Sequence, residues 1–384
     1  MTRLRILADD LTGALDTAAA FAGEVPVFID RPPAADSPYW QAAVSVVATP
    51  TRDVLPATLP DTLTPTLDWF VAGDLAYKKV DSLLRGNTFA EIGWLRAAGK
   101  FPGVIFAPAF PGQGRITTDN RQWVVKPGQP PEAVAQPLRE AFSTFGMTAA
   151  TTPADRLDDN ASWIPEVRTD AELDAIAARL DMPHARRALW CGSAGLAQAI
   201  ARHEGLTPHA DASPAATDID GPTVLISASF QPVLYAQWEA LKAAAPTPAI
   251  AERARPDEIA AALAQAQQGA ADVRFDLSPR REMTQTESLA LLQQNIERIA
   301  AGLPAPKQLM IVGGDTLLAI CRATGAEALL AGASIQNGWG RATLVGGRWH
   351  GTHCHSRSGA FGKPDDLIQM MQRLRRDTNF EKGK

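Results

Sequence analysis

Cysteine is scarce in this sequence, and its distribution excludes two kinds of stabilised site. Only three cysteines occur among 384 residues, and they lie far apart, at Cys191, Cys321 and Cys354. An odd number at these spacings gives neither a disulfide framework nor the paired spacing of a structural zinc site. We therefore expect three reduced thiols in a cytoplasmic protein.

The sequence also lacks a long hydrophobic run and a strong excess of one charge. The apolar run within MTRLRILADD meets an aspartate by residue 9, so we expect neither a signal peptide nor a membrane span there. The net charge of −5 argues against nucleic acid as the main partner. A small anionic substrate remains compatible with this charge, because a local basic pocket does not need a basic protein.

Two glycine-rich nucleotide motifs are absent as well. The chain has no G-x-x-x-x-G-K-[ST] sequence, which excludes a P-loop enzyme. It has no G-x-G-x-x-G after a strand, so a Rossmann dinucleotide fold lacks its fingerprint. If nucleotide is bound, other glycine loops must bind it.

What the sequence does contain is an alternation of strand-like and helix-like segments. Strand-like runs lie at 4–8, 25–29, 43–49, 75–80, 103–109, 187–195, 222–229, 272–277 and 308–316. Helical periodicity separates many of them, and 287–301 and 316–330 are predicted helices. A stretch rich in Pro, Ala and Asp at 203–222 resembles a linker. The pattern predicts an α/β fold class with two α/β domains, 1–210 and 220–384, and largely parallel sheets.

Two adjacent aspartates end the first predicted strand. Asp9 and Asp10 follow LRILA and precede a helix-like segment, and ligands of an open α/β sheet bind at the carboxyl ends of its strands. Asp10 could simply cap the helix through the backbone N–H of Thr12 or Gly13. A cap explains only one of the two. A hydroxyl-rich ligand or a cation could relieve the repulsion between the two carboxylates, so the pair is a candidate site.

The densest polar stretch, YKKVDSLLRGNTFAEIG, follows the fourth predicted strand. Strand alternation would place Lys79 and Asp81 on one face if the strand continues that far. Arg85 offers a planar fork suited to a carboxylate. Together with Ser82 and Asn87, these side chains could hold a small polyhydroxy carboxylate. A surface loop of salt bridges is the alternative.

A further loop, APAFPGQGRITTDN, follows the fifth predicted strand and contains Arg115. Its two prolines and two glycines indicate an irregular course. Arg115 could add a contact to an anion, although loops of this composition are common.

The C-terminal half supplies glycines after strands. IVGGDTLLAICRATG reads as a strand, a Gly-Gly turn and a helix, and backbone N–H groups at such a helix start attract phosphate. Asp315 could hold a magnesium ion and Thr316 could cap the helix, while a simple strand-to-helix turn is the alternative. The glycine and hydroxyl residues that follow strands in this half are Ser227, Ser229, Gly313, Gly314, Gly359 and Gly362.

Together, these stretches resemble the four-carbon acid sugar kinases, ATP-dependent enzymes that act on threonate, erythronate or 3-oxo-tetronate. The matching pieces are ADDLTGALDTA, KKVDSLLRGN, APAFPGQGRITT, GSAGLA, IVGGDT and SRSGAFG, in the order typical of the family. One segment departs from the family: its usual Ser-Gly-Ser-x-Ser-Pro-x-Thr is replaced by SASFQPVL.

The resemblance implies an N-terminal acid-sugar domain, a C-terminal ATP domain, and transfer in a cleft between them with Mg²⁺ at the phosphates. It implies substrate contacts for Asp9, Arg52, Lys79, Ser82, Arg85, Asn87 and Arg115. It implies nucleotide contacts for Ser227, Ser229, Gly313, Gly314, Asp315, Thr316, Gly359 and Gly362, with Asp315 also the magnesium ligand. Asp10 is our first hypothesis for the base that accepts the proton of the terminal hydroxyl, and Asp81 is the second.

Two other functions stay open at this point. The altered SASFQPVL segment keeps open a catalytically weak or inactive relative that only binds ligand. An unrelated α/β oxidoreductase is the other alternative, and the missing dinucleotide fingerprint counts against it. We expect no nucleic-acid or membrane partner, and a homodimer is left open because nothing in the sequence decides the oligomeric state.

Overall fold

The chain forms two compact units, Met1–His209 and Ala210–Lys384. The computed structural model describes residues 2–134, 136–150, 161–208, 223–244, 250–251, 255–267, 272–279, 282–336, 339–359 and 362–376. Both units have an α/β architecture, so the predicted fold class is confirmed. The predicted domain boundary, 210–220, lies outside the described residues.

Unit 1 is built on a parallel sheet of eight strands, in the order β2-β3-β1-β4-β11-β5-β10-β9. These strands are β1 (Leu4–Ala8), β2 (Val25–Ile29), β3 (Val44–Ala48), β4 (Leu75–Lys79), β5 (Gly103–Ala107), β9 (Thr148–Ala150), β10 (Ala161–Trp163) and β11 (Leu189–Gly192). Three more strands, β6 (Arg115–Thr118), β7 (Arg121–Val124) and β8 (Glu132–Ala133), form a separate antiparallel sheet.

Helices connect the parallel strands of unit 1. They are α1 (Leu11–Ala18), α2 (Leu59–Val71), α3 (Thr88–Ala98), α4 (Leu138–Ser143), α5 (Asp170–Ala177), α6 (Pro183–Arg186) and α7 (Ala194–His203). Every residue of β1, β3, β4 and β5 is buried. Burial on both faces is expected for a parallel sheet covered by helices, and it explains why β1, β3 and β5 are mostly apolar, whereas β4 ends in Lys78 and Lys79.

Unit 2 has a mixed sheet in the order β13-β14-β12-β15-β18-β17-β16. Its strands are β12 (Thr223–Ser227), β13 (Ile250–Ala251), β14 (Asp272–Asp276), β15 (Gln308–Val312), β16 (Ala328–Gln336), β17 (Trp339–Val345) and β18 (His353–Arg357). Only β17 runs antiparallel to its neighbours, β18 and β16. The helices are α8 (Pro232–Ala244), α9 (Pro256–Gln267), α10 (Gln285–Gly302), α11 (Gly314–Thr324) and α12 (Asp366–Arg376).

The helix predicted over 316–330 is too long, and its second part is a strand. Helix α11 ends at Thr324, because Gly325 follows in the left-handed conformation (φ 73°) and its N–H closes the helix by donating to Arg322 and Cys321. The chain then enters β16 at Ala328. An Ala/Leu-rich run suits a helix by propensity alone, and pairing with β17 overrides that preference here.

A tryptophan-centred core holds α8 and α12 on the unit 2 sheet. Trp238 and Leu241 of α8 and Met370 of α12 pack with Met310 of β15 and Trp339 of β17. Burying each such side chain contributes about 1.5–3 kcal/mol relative to leaving it exposed. This packing positions the loops that follow β12, β15 and β18. Within the described residues, no helix combines the length and apolar character needed to cross a bilayer.

Candidate functional site

Three neighbouring strands of unit 1 deliver charged side chains to one edge of the sheet. Strand β1 pairs with β3 on one side and β4 on the other, and Ala8 at its end is in register with Ala48 and Lys79. Asp9, Asp10 and Arg52 follow these ends in the chain. This is the carboxyl edge of the sheet, where open α/β folds bind ligands.

Arg52 bridges the two adjacent aspartates. Its Nε donates to Asp9 Oδ2 at 2.8 Å and its Nη1 donates to Asp10 Oδ2 at 2.9 Å. The repulsion expected between Asp9 and Asp10 is therefore relieved by a cation of the chain itself. Asp10 also caps α1 by accepting from Gly13 N–H at 3.0 Å, so the capping prediction is confirmed.

Asp9 lies deeper in the protein than Asp10 and has a second cation behind it. The Lys78 ammonium forms an ion pair with Glu91 of α3 at 2.5 Å, and both side chains are buried. Burial of Asp9 works to raise its pKa, but Lys78 and Arg52 outweigh this and hold the pKa below its ordinary value. Burial raises the pKa of Glu91, against the effect of Lys78. Asp9 Oδ1 has no hydrogen-bond partner among the described residues.

Asp81 and Arg85 form a two-pronged ion pair in the loop after β4. Arg85 Nε donates to Asp81 Oδ2 at 2.6 Å and Nη2 donates to Oδ1 at 2.9 Å. Burial works to raise the pKa of Asp81, but Arg85, with help from Arg52 and Lys79, lowers it to about 2. A carboxylate of that pKa, with both oxygens engaged, is a poor proton acceptor at neutral pH. The second hypothesis for the catalytic base stays a prediction, and this ion pair counts against it.

The remaining predicted substrate residues surround this pair or support it. Lys79 is buried, and its Nζ donates to the carbonyl of Val80 at 2.8 Å. The strand ends at Lys79, so Asp81 lies in the loop rather than on the strand face that alternation suggested. Ser82 is half-buried, and its carbonyl accepts from Gln122 Nε2 at 3.0 Å.

Asn87 holds the Arg52 loop in place. Its Nδ2 donates to the carbonyls of Thr51 and Val54, both at 2.8 Å. Both amide hydrogens are thus committed to backbone, and only the side-chain oxygen remains for a ligand. Asn87 therefore fixes the backbone on both sides of Arg52.

Arg115 stands at the start of β6, within electrostatic reach of the Asp81–Arg85 pair. Its Nη1 donates to the carbonyl of Gln113, and its Nε is buried without a hydrogen-bond partner among the described residues. Burial lowers its pKa, with Asp81 opposing this and Arg85 adding to it. Arg85 is largely exposed, with 60% of its side-chain surface accessible. The guanidinium groups of Arg85 and Arg115 therefore lie near Asp81, whose carboxylate is already paired with Arg85.

One acidic residue near this cluster was assigned no role from the sequence. Asp16 is exposed on α1, whose other residues from Gly13 to Ala18 are all buried. It lies three positions after Gly13, on a side of the helix that borders Asp10 and Lys79. A charged residue inside an otherwise apolar helical run was the available signal, and Asp16 is part of the ADDLTGALDTA stretch.

In unit 2 the Gly-Gly-Asp-Thr turn joins β15 to α11. One N–H group that was predicted to bind phosphate already donates a hydrogen bond within the protein. Gly313 is the N-cap residue and its N–H donates to the carbonyl of Arg357 at 2.9 Å, so it is not available to a phosphate. Thr316 does not cap the helix. It is buried, and its hydroxyl points back to the carbonyl of Val312 at 3.4 Å. Gly314 opens α11, and the first N–H groups of a helix have no partner within it.

The other predicted nucleotide residues lie in the loops after β12 and β18. Ser227 is fully buried, and its hydroxyl accepts from Trp238 Nε1 at 2.8 Å, which ties it to the core. Ser229 is half-buried and its hydroxyl accepts from Gln231 N–H at 3.3 Å. Gly359 lies directly against the side chain of Ser229, where a Cβ would collide with the hydroxyl. The two loops are therefore in contact.

A buried arginine organises the loop after β18. Arg357 donates through Nη1 to Asp366 at 2.7 Å and through Nη2 to Gln237, and its guanidinium lies 4.9 Å from the Trp339 ring centre. Gly362 has φ 97°, and a Cβ there would collide with both partners of the Arg357–Asp366 pair. The positive charge of Arg357 is thus paired with Asp366 within unit 2, and Gly362 packs against this ion pair.

The donor set of unit 2 fits a magnesium ion only as a companion of phosphates. Asp315 is exposed in the first turn of α11. No group of three His, Cys, Asp or Glu side chains that could hold a metal occurs within the described ranges. Magnesium commonly binds through one or two carboxylates together with substrate phosphates, so a single aspartate is compatible with that mode.

Comparison with known protein families gives two matches that follow the two-unit division. A model described as a sugar-binding N-terminal domain matches residues 4–153. A model described as a nucleotide-binding C-terminal domain matches residues 224–367.

Curated relatives and solved structures agree with these matches. A D-threonate kinase of Bordetella bronchiseptica is 29% identical, with 96% of this chain and 97% of that protein covered. A D-threonate kinase of Cupriavidus necator is 30% identical over 51% of this chain and 53% of that protein.

Two solved structures share the fold, one from Salmonella typhimurium LT2 and one from Haemophilus influenzae. The first has a TM-score of 0.74 at 19% identity, covering 97% of this chain and 99% of the other. The second has a TM-score of 0.72 at 16% identity, covering 96% and 100%. With both domain models matched in order and the Bordetella bronchiseptica D-threonate kinase similar over 96% of the chain, this protein belongs to the four-carbon acid sugar kinase family.

Proposed function

We propose that this protein is an ATP-dependent kinase that phosphorylates the terminal hydroxyl of a four-carbon acid sugar. The observation that carries the proposal is the group of cations at the carboxyl edge of the unit 1 sheet. Arg85 and Arg115 both act on Asp81, which can neutralise only one of them, while the charge of Lys79 also acts on Asp16. The excess positive charge suits the carboxylate of a small acid. Family membership supplies the class of reaction.

The same edge offers acceptors for the hydroxyls of the substrate. Asp9 and Asp10 each retain acceptor capacity beyond the bonds to Arg52 and Gly13, because a carboxylate has about four lone-pair positions. Ser82 adds a hydroxyl from the loop after β4. In this proposal Arg85, with Lys79 or Arg115, binds the acid group, while Asp9, Asp10 and Ser82 bind the hydroxyls.

Unit 2 is proposed to bind ATP mainly through main-chain N–H groups and small residues. Gly314 contributes the start of α11, where the helix dipole favours phosphate, and Ser229 and Gly359 contribute the two loops in contact. Asp315 would hold Mg²⁺ together with the phosphates, and a bound magnesium ion would neutralise charge on the transferred group.

The test is an ADP-release assay with ATP, Mg²⁺ and a panel of threonates, erythronates and their 3-oxo forms. We propose D-threonate as the first substrate to try, since both curated relatives are D-threonate kinases. Turnover of at least one four-carbon acid, and none of matched three- and six-carbon acids, is the expected result. Absence of ADP release with every acid would refute the kinase proposal.

A second candidate is a family member that binds ligands without turnover. Two observations favour it: the N–H of Gly313 is used by Arg357, and the hydroxyl of Ser227 is used by Trp238. The first removes an N–H donor that a phosphate could otherwise use, and the second ties a fully buried hydroxyl to the core by making it an acceptor. Calorimetry separates the candidates, because ATP binding without turnover on the whole panel would support the second.

A further inference from the structure

Asp16 lies beside the space that Asp10 and Lys79 share above α1. Gly13 has no side chain there: a Cβ at this position would lie 2.5 Å from Asp10 Oδ1 and 2.9 Å from Lys79 Nζ. Side chains three apart on a helix are neighbours, with about 5–6 Å between their Cβ atoms. Asp16 therefore borders the same carboxylate and the same ammonium, while remaining exposed to solvent.

The other aspartates of the cluster are each bound by an arginine of the chain. Arg52 binds both Asp9 and Asp10, and Asp10 also caps α1. Asp81 has both oxygens on Arg85. Asp16 differs from all three, because its carboxylate accepts no hydrogen bond and forms no ion pair within the part of the chain that the structure describes.

The electrostatic surroundings of Asp16 suit proton transfer. Desolvation by the neighbouring protein raises the pKa of Asp16 to about 6, with Lys79 lowering it and Asp10 raising it, and the exposure of the side chain to solvent limits the desolvation effect. These two are the charged groups that act on Asp16. Strands β1, β2 and β3 and helix α7 also pack on α1, and among the described residues no charged side chain of theirs is a cause of this pKa shift. A base with a pKa near the working pH is deprotonated yet still basic enough to accept a proton.

We propose that Asp16 is the general base of the phosphoryl transfer, an assignment that rests on the proposed function and replaces Asp10 and Asp81 in that role. The hydroxyl oxygen of the acid sugar forms a bond to the terminal phosphorus of the nucleoside triphosphate. The bond from that phosphorus to the bridging oxygen breaks, and its electron pair leaves with the nucleoside diphosphate. The hydroxyl proton passes to the Asp16 carboxylate and from there to solvent.

Lys79 has a defined part in this arrangement. It is held by the carbonyl of Val80, and its positive charge acts on Asp16. It keeps the Asp16 carboxylate ionised at neutral pH by opposing the effect of burial. The substrate hydroxyl would approach Asp16 from its solvent-exposed side.

The experiment compares Asp16→Asn with Asp68→Asn, which removes the same charge from another exposed helical aspartate of unit 1. For each variant, kcat and KM are measured by ADP release from pH 5 to 8 with the best acid of the panel, and acid binding is measured by calorimetry. Loss of a general base should lower kcat of Asp16→Asn by about 100-fold or more, with acid binding retained. The wild-type kcat should rise with pH through about 6, and Asp16→Asn should lose that limb. Asp68→Asn should match the wild type.

Three results would overturn the assignment: an unchanged kcat in Asp16→Asn, a pH limb that persists in it, or a rise in KM alone. Should Asp16→Asn fail to fold, Asp16→Glu takes its place. It keeps a carboxylate on a longer side chain and should lower kcat while preserving a pH limb, and full wild-type kcat at every pH would count against the role. If the wild type itself transfers phosphate to no acid of the panel, the proposed function fails and this role fails with it. Wild-type turnover with an unaffected Asp16→Asn refutes only the role of Asp16.

Discussion

Replacing Arg52 by methionine tests whether a single cation holds the edge of the unit 1 sheet together. Arg52 reaches Asp9 at 2.8 Å and Asp10 at 2.9 Å, and only 17% of its side-chain surface is accessible. Methionine keeps much of the apolar stem and removes the charge. Asp9, with 4% of its side-chain surface accessible, would then remain a buried carboxylate with Lys78 as its nearby cation.

The cost of the Arg52→Met change can be bounded from this geometry. Removing one partner of a buried ion pair destabilises a protein by about 3–5 kcal/mol. Lys78 still faces Asp9, and Asp10 is partly exposed at 26%, so we expect the lower end, about 3 kcal/mol. For a domain of this size each kcal/mol corresponds to roughly 2–4 °C in Tm, which gives a decrease of about 6–12 °C.

The loss of unfolding free energy caused by Arg52→Met should depend on pH. In the wild type the folded-state pKa of Asp9 lies below its ordinary value of 3.8, so Asp9 contributes stability that is present above about pH 4 and is lost as pH falls through the folded pKa. In the variant, burial without Arg52 raises the pKa of Asp9, and the ionised form becomes destabilising. The difference in unfolding free energy between variant and wild type should therefore shrink from pH 7 toward pH 4.

Urea denaturation at pH 7 and pH 5 measures this difference, with Arg31→Met as the matched control because Arg31 is exposed. A surface change of that kind should alter stability by less than about 0.5 kcal/mol. The double variant Asp9→Asn/Arg52→Met removes the buried charge along with its partner, and it should be more stable than Arg52→Met alone. A double variant that is as unstable as the sum of the two single changes would refute the argument from an unpaired buried carboxylate.

Two further changes probe the substrate edge and the nucleotide loops. Arg85→Ala should raise KM for the acid by about 10- to 100-fold through loss of a charge-assisted contact of about 1.5–3 kcal/mol, and ATP affinity measured by calorimetry should not change. An unchanged KM for every active acid would contradict the binding role of Arg85. Gly362→Ala should destabilise unit 2 by at least about 1–2 kcal/mol, because φ is 97° and a Cβ would push apart Arg357 and Asp366. It should also weaken ATP binding, whereas a thermal scan with no loss of stability would show that the loop adapts.

The predictable part of this protein lies in local patterns. Apolar runs of five residues that end in polar residues are recognisable as buried parallel strands, and β1, β3 and β4 all lie within the predicted ranges. The N-cap role of Asp10 was also readable, because Asp followed by Thr and Gly before an apolar helix is a local signal. The error at 316–330 shows the limit of such signals, since residues 328–330 joined β16 by pairing with residues 343–345, which lie more than ten positions later in the chain.

Roles within the site depended on partners that periodicity does not reveal. The planar guanidinium of Arg85 suits a carboxylate, and in the structure it binds the carboxylate of Asp81, four residues away. Gly313 has the N–H expected at a phosphate-binding turn, but this N–H donates to the backbone carbonyl of Arg357 in β18. In both cases the residue type indicated the kind of hydrogen bond that forms, while the identity of the bonded partner was decided by the neighbouring loop or strand.

The amino-acid sequence by itself therefore determined which segments form the strands and helices and which polar residues follow the strand ends, because these properties depend on neighbours within a few positions. Only the tertiary structure decided that Arg52 pairs with Asp9 and Asp10 across more than forty residues of chain. The reason is the strand order, since β1 lies between β3 and β4 and the loops that follow all three end at the same edge. The same order left Asp16 as the acid beside Lys79 whose carboxylate has no hydrogen bond within the described residues.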